Sequence, residues 1–322
     1  MLGITKLAIT AVLALASCVA MAFPEKPIVM VVPYAAGGST DALARILAEA
    51  MSRDLGQQVV VENAGGAGGT IGTGRVVRAP NDGYTVLFHN MGIATSLALY
   101  KNLGFDARVD LEPISLIGDV PMILVGNKNF APSNLKDLII YMENHPGHVN
   151  FANAGVGATS YLCALLFTQT LEAGVTMVPY RGTGPALQDL VAGNVDLICD
   201  QPVATGPFLK SGTLKPYALA TAKRIDIMPN VPTFAEEGMK GFELAVWHGI
   251  YAPKGTPEEA ISRINKSIRV ALSEPALAKR FKDMGVIIPE DERLSPEALG
   301  EQLSSEIDRW NEVIKAAGVE PQ

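Results

Sequence analysis

An α/β fold in two lobes is what this sequence predicts, each lobe a mixed sheet flanked by helices, with two extended strands crossing between them. Three observations carry that expectation. Short apolar strand-like runs alternate with helix-period segments across short loops, the pattern of α/β layers with largely parallel pairing. The alternation breaks twice, at 111–126 and 242–251, where long extended runs stand in place of helices. A unit of apolar strand, glycines, hydroxyls and apolar helix also occurs twice, about 118 residues apart. The chain of 322 residues is long enough for two cores. The expected division is 23–120 plus 246–322 for the first lobe and 121–245 for the second, with any ligand in the cleft between them.

Residues 1–22 stand apart from the fold. Lys6 gives a positive start, 7–17 an apolar stretch, and Ala20-Met21-Ala22 a small-residue cleavage site, the signature of an export signal. Cleavage after Ala22 leaves a chain starting at Phe23. Leu15-Ala16-Ser17-Cys18 also fits a lipobox, so lipid anchoring at Cys18 stands as the alternative to soluble export into the periplasm. Loss of Lys6 takes the formal net charge from −7 to −8. With no basic stripe, nucleic acid and anionic membrane surfaces are excluded as main partners. Cys163 and Cys199 both sit in apolar stretches and are expected as buried free thiols, although an oxidising compartment permits a bridge.

In order, 28–32 is an apolar run read as the first buried strand. Leu43, Ile46, Leu47 and Ala50 then share one helix face, and Gly56 ends that helix. Strands are expected at 59–61 and 85–88, separated by a glycine-rich bend and a short helix. After the extended pieces "EPISLIGD" and "VPMILVG" come a helix at 135–143, a strand at 149–152 and a helix from about Ser160. A strand at 175–178, a helix at 185–191, a strand at 195–199 and another at 217–221 follow. Beyond the second crossing run the chain reads as helical to its end. Pro257 opens one helix and Ser295-Pro296 the last, with Trp310 on its apolar face.

The repeated unit raises a chemical question. Gly37-Gly38-Ser39-Thr40-Asp41 and Gly155 to Ser160 each join a strand to a helix. Such a turn needs glycine and a cap in any case, so one loop alone reads as a plain turn. Two, one in each lobe and facing one cleft, read as a pair of helix N-termini presenting unpaired N–H groups to an anion. Each terminus favours an anion by about 0.3–1 kcal/mol when exposed and up to about 2 when partly buried. A hydrogen bond to a charged acceptor adds about 1.5–3 kcal/mol. The overall negative charge opposes this weakly, because screening limits its reach to about 8 Å. With no GxxxxGK phosphate loop, a carboxylate fits better than a nucleotide.

The segments "FPEKPIVMVVPYAAGGSTD", "VVVENAGGAGGTIGTGRVVRAPNDGYTVL", "ANAGVGATSYL", "VPYRGTGPALQDLVAGNVDL" and "MPNVPTFAEEGMKGFE" together resemble the Bug-type receptors of tripartite tricarboxylate transporters. The resemblance spans essentially the whole chain after residue 22. It implies a two-lobed, type II-like periplasmic binding fold that closes on a small organic carboxylate, a di- or tricarboxylate or an aromatic acid. It implies delivery to one large and one small membrane subunit, with no enzyme activity, cofactor or metal, and a monomeric chain. By the same resemblance Gly38, Ser39 and Thr40 hold the ligand from one lobe, and Gly157, Ala158, Thr159 and Ser160 from the other. Tyr34 is a wall of the cleft, Ala35, Asn90 and Ala154 complete the expected lining, and Asp41 caps the helix. The family usually carries His where this chain has Tyr161, and a small residue at Cys163, a change that suits a flatter or more aromatic acid.

Other motifs have plainer readings. Gly72-x-Gly74 is a partial match to a dinucleotide fingerprint and is read as tight packing. Glu143, His145 and His148 are split by Pro146-Gly147 and are read as a solvated turn instead of a metal site. His248 is expected as a hydrogen-bonded residue at the second crossing, and Arg181 in a surface ion pair. Asp200 is expected to point into the cleft, where an acid facing a carboxylate needs a ligand hydroxyl or amine between them. A hydrolase is the enzyme alternative, but no GxSxG elbow surrounds any serine. A sensing module for a membrane kinase would share the sequence and differ in its partner.

Overall fold

The computed structural model describes residues 23–321. Residues 1–22, with the expected export signal and Cys18, lie outside the described residues. The apolar run at β1 (Ile28–Val32) is buried along its length because it is flanked on both edges, by β2 (Val59–Asn63) and β3 (Thr85–Asn90), both parallel to it. β10 (Ala245–Pro253) pairs antiparallel with β3 and with β4 (Leu111–Pro121), completing a sheet of order β2-β1-β3-β10-β4. The second sheet has the order β7-β6-β8-β5-β9. There β6 (Asn150–Asn153) runs parallel to β7 (Thr176–Pro179) and β8 (Leu197–Asp200), while β5 (Ile123–Asn127) is antiparallel to β8 and to β9 (Leu214–Leu219). Each sheet is thus three parallel strands, then one antiparallel strand, then an outer strand that runs with the first three.

The two crossings lie side by side. Met122, between β4 and β5, donates its N–H to Leu244 O at 3.1 Å. Leu244 N donates to Ala220 O at 3.0 Å, and Ala220 N to Met122 O at 2.9 Å. Both passages between the sheets are therefore tied together by backbone hydrogen bonds.

Helices cover the sheets. α1 (Ser39–Leu55) buries the face carrying Leu43, Ile46, Leu47 and Ala50 and stops at Gly56, whose φ of 68° needs no Cβ. α2 (Thr70–Val77), α3 (Leu135–Asn144), α4 (Thr159–Thr170), α5 (Thr183–Ala192) and α6 (Pro202–Lys210) follow the strands in turn. α7 (Glu258–Ser273), α8 (Pro275–Asp283) and α9 (Pro296–Ala316) close the chain on the first sheet. Ser295 caps α9 by accepting from Ala298 N at 3.1 Å, and Trp310 is buried on it with its Nε1–H donated to Glu306.

Most strands and helices expected from sequence are present, with ends shifted by a few residues. Two shifts matter: β3 runs on to Asn90, and β8 begins at Leu197 and ends at Asp200. α6 was not expected, because Pro207 and Gly206 lie inside it. The expectation for the cysteines is overturned. Cys163 on α4 and Cys199 on β8 form a disulfide, with Cα atoms 6.0 Å apart. Both are buried, as their apolar neighbours required, but α4 packs on β8 with the two thiols facing each other.

Candidate functional site

The loop after β1 enters α1 at Ser39, and the Asp41 carboxylate reaches back to accept from Gly37 N at 3.0 Å. Asn63 Nδ2 at 2.9 Å and Arg45 at 2.9 Å hold the same carboxylate. Burial works to raise its pKa, and the Arg45, Gly37 and Asn63 bonds outweigh it and keep it below the usual value. Asp41 is thus an ionised residue of the first helical turn that ties down the preceding loop; the N-cap position itself is Gly38, not Asp41 as expected. The N–H groups of Ser39, Thr40 and Asp41 have no partner among the described residues.

The loop after β6 repeats the arrangement. Ser160 Oγ accepts from Ala154 N at 2.8 Å, Asn153 Oδ1 from Gly155 N at 3.0 Å, and Gly155 O from Ala158 N at 3.0 Å. Gly157, with φ of 87°, makes the turn that delivers the chain into α4. The N–H groups of Thr159 and Ser160 are free of partners among the described residues.

Both helix ends open on one small cavity in the seam between the two sheets. Tyr34, Gly38, Ser39, Thr40, Asn90, Ala154, Ala158, Thr159, Ser160 and Asp200 line it. Two expected residues do not. Gly157 is occupied with the turn, its carbonyl accepting from Thr95 Oγ1 at 2.8 Å. Ala35 lies in the seam between the sheets, its N–H donated to Arg181 O at 3.0 Å. Tyr161, in the first turn of α4, is also outside the lining and half-buried.

Met122, Thr183 and Gln201 line the cavity and were not anticipated, and Asp41, expected only as a helix cap, lines it too. Thr183 was legible in principle, because Gly182-Thr183-Gly184 is a third strand–glycine–hydroxyl–helix unit. Thr183 Oγ1 donates to Asp200 Oδ2 at 2.6 Å, while Ser39 Oγ at 3.2 Å and Gln201 N at 2.7 Å donate to Oδ1. Asp200 is 3% exposed, and burial pushes its pKa up against those three bonds. Its carboxylate joins residues carried by the two sheets.

A second polar network backs the first loop. Tyr34 OH lies 3.2 Å from Asn90 Oδ1 and 3.3 Å from Gly68 O, and Gly92 N donates to the same Asn90 oxygen at 2.9 Å. Asn90 Nδ2 donates to Thr40 Oγ1 at 3.0 Å, which has His248 Nε2 at 3.5 Å on its other side. His248 is fully buried on β10 opposite Asn90, and burial drives its pKa down to about 3, so its ring is neutral. It supports Thr40 without lining the cavity.

The remaining motifs resolve simply. Gly68 packs so close that a Cβ would stand 1.9 Å from Val156 O, which fits the packing role expected of the glycine-rich run. His145 and His148 are exposed at the end of α3, and no metal-holding cluster is present among the described residues. Arg181 is exposed, but the ion pair expected for it is not formed: no acid partners it among the described residues, and its carbonyl makes the seam contact instead.

Chemically, the cavity combines uncharged donors from two helix ends with two buried acids, Asp200 and the Arg45-paired Asp41. No lysine, arginine, histidine or cysteine lines it, so an anion would be held by backbone and hydroxyl donors. Residues 43–319 match the model of the tripartite tricarboxylate transporter family receptor. The chain belongs to that family. As a family receptor it is also similar to solved relatives. The periplasmic binding protein BugD is 44% identical, with TM-score 0.91, over 93% of this chain and all of that one. MatC from Rhodopseudomonas palustris, solved with bound malate, is 38% identical, with TM-score 0.87, over 91% of this chain and all of that one. The R. palustris protein Rpa4515, solved with adipate, is 33% identical, with TM-score 0.88, over 93% of this chain and all of that one. The receptor fold is therefore that of two-lobed periplasmic binding proteins.

Proposed function

We propose that this receptor captures a small organic carboxylate in the periplasm by closing its lobes around it, and delivers it to the large and small membrane subunits of a tripartite transporter. The observation that carries the reading is the pair of helix ends, with unpartnered N–H groups at Ser39, Thr40 and Asp41 and at Thr159 and Ser160, converging on one cavity. Donors from both lobes make the ligand part of the interface, so binding and closure are one event. We place the lobe boundaries at 120/121 and 245/246, next to the bonded strands of Met122, Ala220 and Leu244. The ligand-holding residues are those of the two loops with Tyr34, Asn90 and Asp200, and Gly157 acts through the turn it makes. The lining, in which Tyr34 is the one aromatic side chain, favours an aliphatic acid over an aromatic one. Malate and adipate in two relatives are acids of this kind.

Calorimetry with a panel of organic acids, followed by chromatographic recovery of the ligand, tests the reading. One site per chain and unaltered ligand are expected. A converted product would overturn a receptor role in favour of an enzyme, and failure of every carboxylate to bind would remove the anion site.

A further inference from the structure

We propose that the site selects a carboxylic acid bearing a hydrogen-bond donor, hydroxyl or ammonium, on the carbon beside its bound carboxylate, and that Asp200 and Gln201 are the acceptors that read this donor. This rests on the carboxylate-receptor reading above and narrows its ligand class.

The cavity has two chemically opposite walls. The donor wall is the pair of helix ends. On the other side stands Asp200, 3% exposed, with three donors already on its oxygens from Ser39, Thr183 and Gln201. A carboxylate offers about four acceptor positions, so one remains. Gln201 lies beside it, 4% exposed, with its Oε1 buried and without a partner among the described residues. Both residues line the cavity. Unpaired buried acceptors are costly, and a ligand donor satisfies them.

The walls are also close together. Ser39 supplies a free N–H to the donor wall, and its own hydroxyl is bonded to Asp200 at 3.2 Å. An acid held at the α1 end therefore brings its charge within about one side chain of a buried carboxylate. An unsubstituted acid leaves the two anions facing each other, which disfavours their joint ionisation. A donor on the adjacent carbon sits between them and binds the vacant acceptors. A donor farther along the ligand would leave that first shell unpaired.

The test uses pairs that differ only in this group: L-malate and L-aspartate against succinate, L-lactate and L-alanine against propionate, and 2-hydroxyglutarate and L-glutamate against glutarate. Calorimetry should show the substituted acids binding about 10- to 100-fold more tightly than their parents in whichever skeleton binds. Asp200→Asn should compress that ratio, most of all for an amino acid if the donor is an ammonium, and less for a hydroxy acid. Gln201→Leu should compress it in part, and its melting curve checks folding. If Asp200→Asn does not fold, Gln201→Leu and the wild-type ratios decide. Equal affinity for parent and substituted acids, or ratios unchanged in both variants, overturns the inference while leaving the receptor reading intact. If none of the acids binds, the receptor reading fails and this inference falls with it.

Discussion

Gly38 holds an extended backbone, φ −90° and ψ 173°, that any residue adopts, so space and not strain keeps it side-chain free. A Cβ there would stand 3.2 Å from Thr183 Cβ, across the seam between the sheets. Alanine asks Thr183 to give by a few tenths of an ångström, whereas the branched side chain of valine holds the lobes apart and covers the α1 N–H groups. Gly38→Val is expected to weaken carboxylate binding by about two to four orders of magnitude, equivalent to losing two charged hydrogen bonds of roughly 1.5–3 kcal/mol each. Ser160→Ala should cost about one such bond and the support Ser160 Oγ gives to Ala154 N, while the free N–H groups of α4 remain. Calorimetry beside circular dichroism checks both. Wild-type affinity in folded Gly38→Val would reduce the loop to a turn.

At the scale of elements, the Cys163–Cys199 disulfide clips α4 to β8. One carries the free N–H groups of Thr159 and Ser160, and the other ends at Asp200, so the clip fixes the donor wall of the second lobe against its acid. Closing a loop over a separation of 36 residues contributes about 3–4 kcal/mol in the chain-entropy view. Replacing both cysteines by alanine should lower the urea midpoint by a corresponding amount while the protein still binds ligand, more weakly. An unchanged midpoint would mean the bridge does not form in the folded protein. Spacing alone could not reveal this pairing, because separation in sequence sets no distance in space. The same limit hid the bond from Thr183 to Asp200, although the glycine-hydroxyl turn that carries Thr183 is local. What was legible was local: buried strands, glycine-hydroxyl turns and helix starts, each written into consecutive residues. Asn90 and Asp200 were legible as site residues, but their equivalence as the last residues of β3 and β8 needed the topology.

That equivalence extends to the whole molecule. Both sheets place a central strand, β1 or β6, before a loop and a helix end, then a parallel neighbour, β3 or β8, ending in Asn90 or Asp200. Two similar half-sites thus face each other across the seam, and in the proposed function closure joins them. Hydrogen bonds cross the seam: besides the Asp200 bonds, Tyr100 OH donates to Val156 O at 2.8 Å, Thr95 Oγ1 to Gly157 O, and Ala35 N to Arg181 O. If the Met122, Ala220 and Leu244 strands act as the hinge, these seam bonds set the balance between open and closed forms without touching the ligand. Tyr100→Phe removes one of them and leaves the cavity lining unaltered. A bond of roughly 0.5–1.5 kcal/mol lost from the closed form alone lowers apparent affinity by about 2- to 10-fold. The loss should appear mainly as faster dissociation, since the open form that admits ligand is unchanged. Solution scattering should show a smaller radius of gyration on adding ligand to the wild type, and a higher ligand concentration needed for the same contraction in Tyr100→Phe. An identical scattering profile with and without saturating ligand would rule out closure as the binding step, whatever the affinity of the variant.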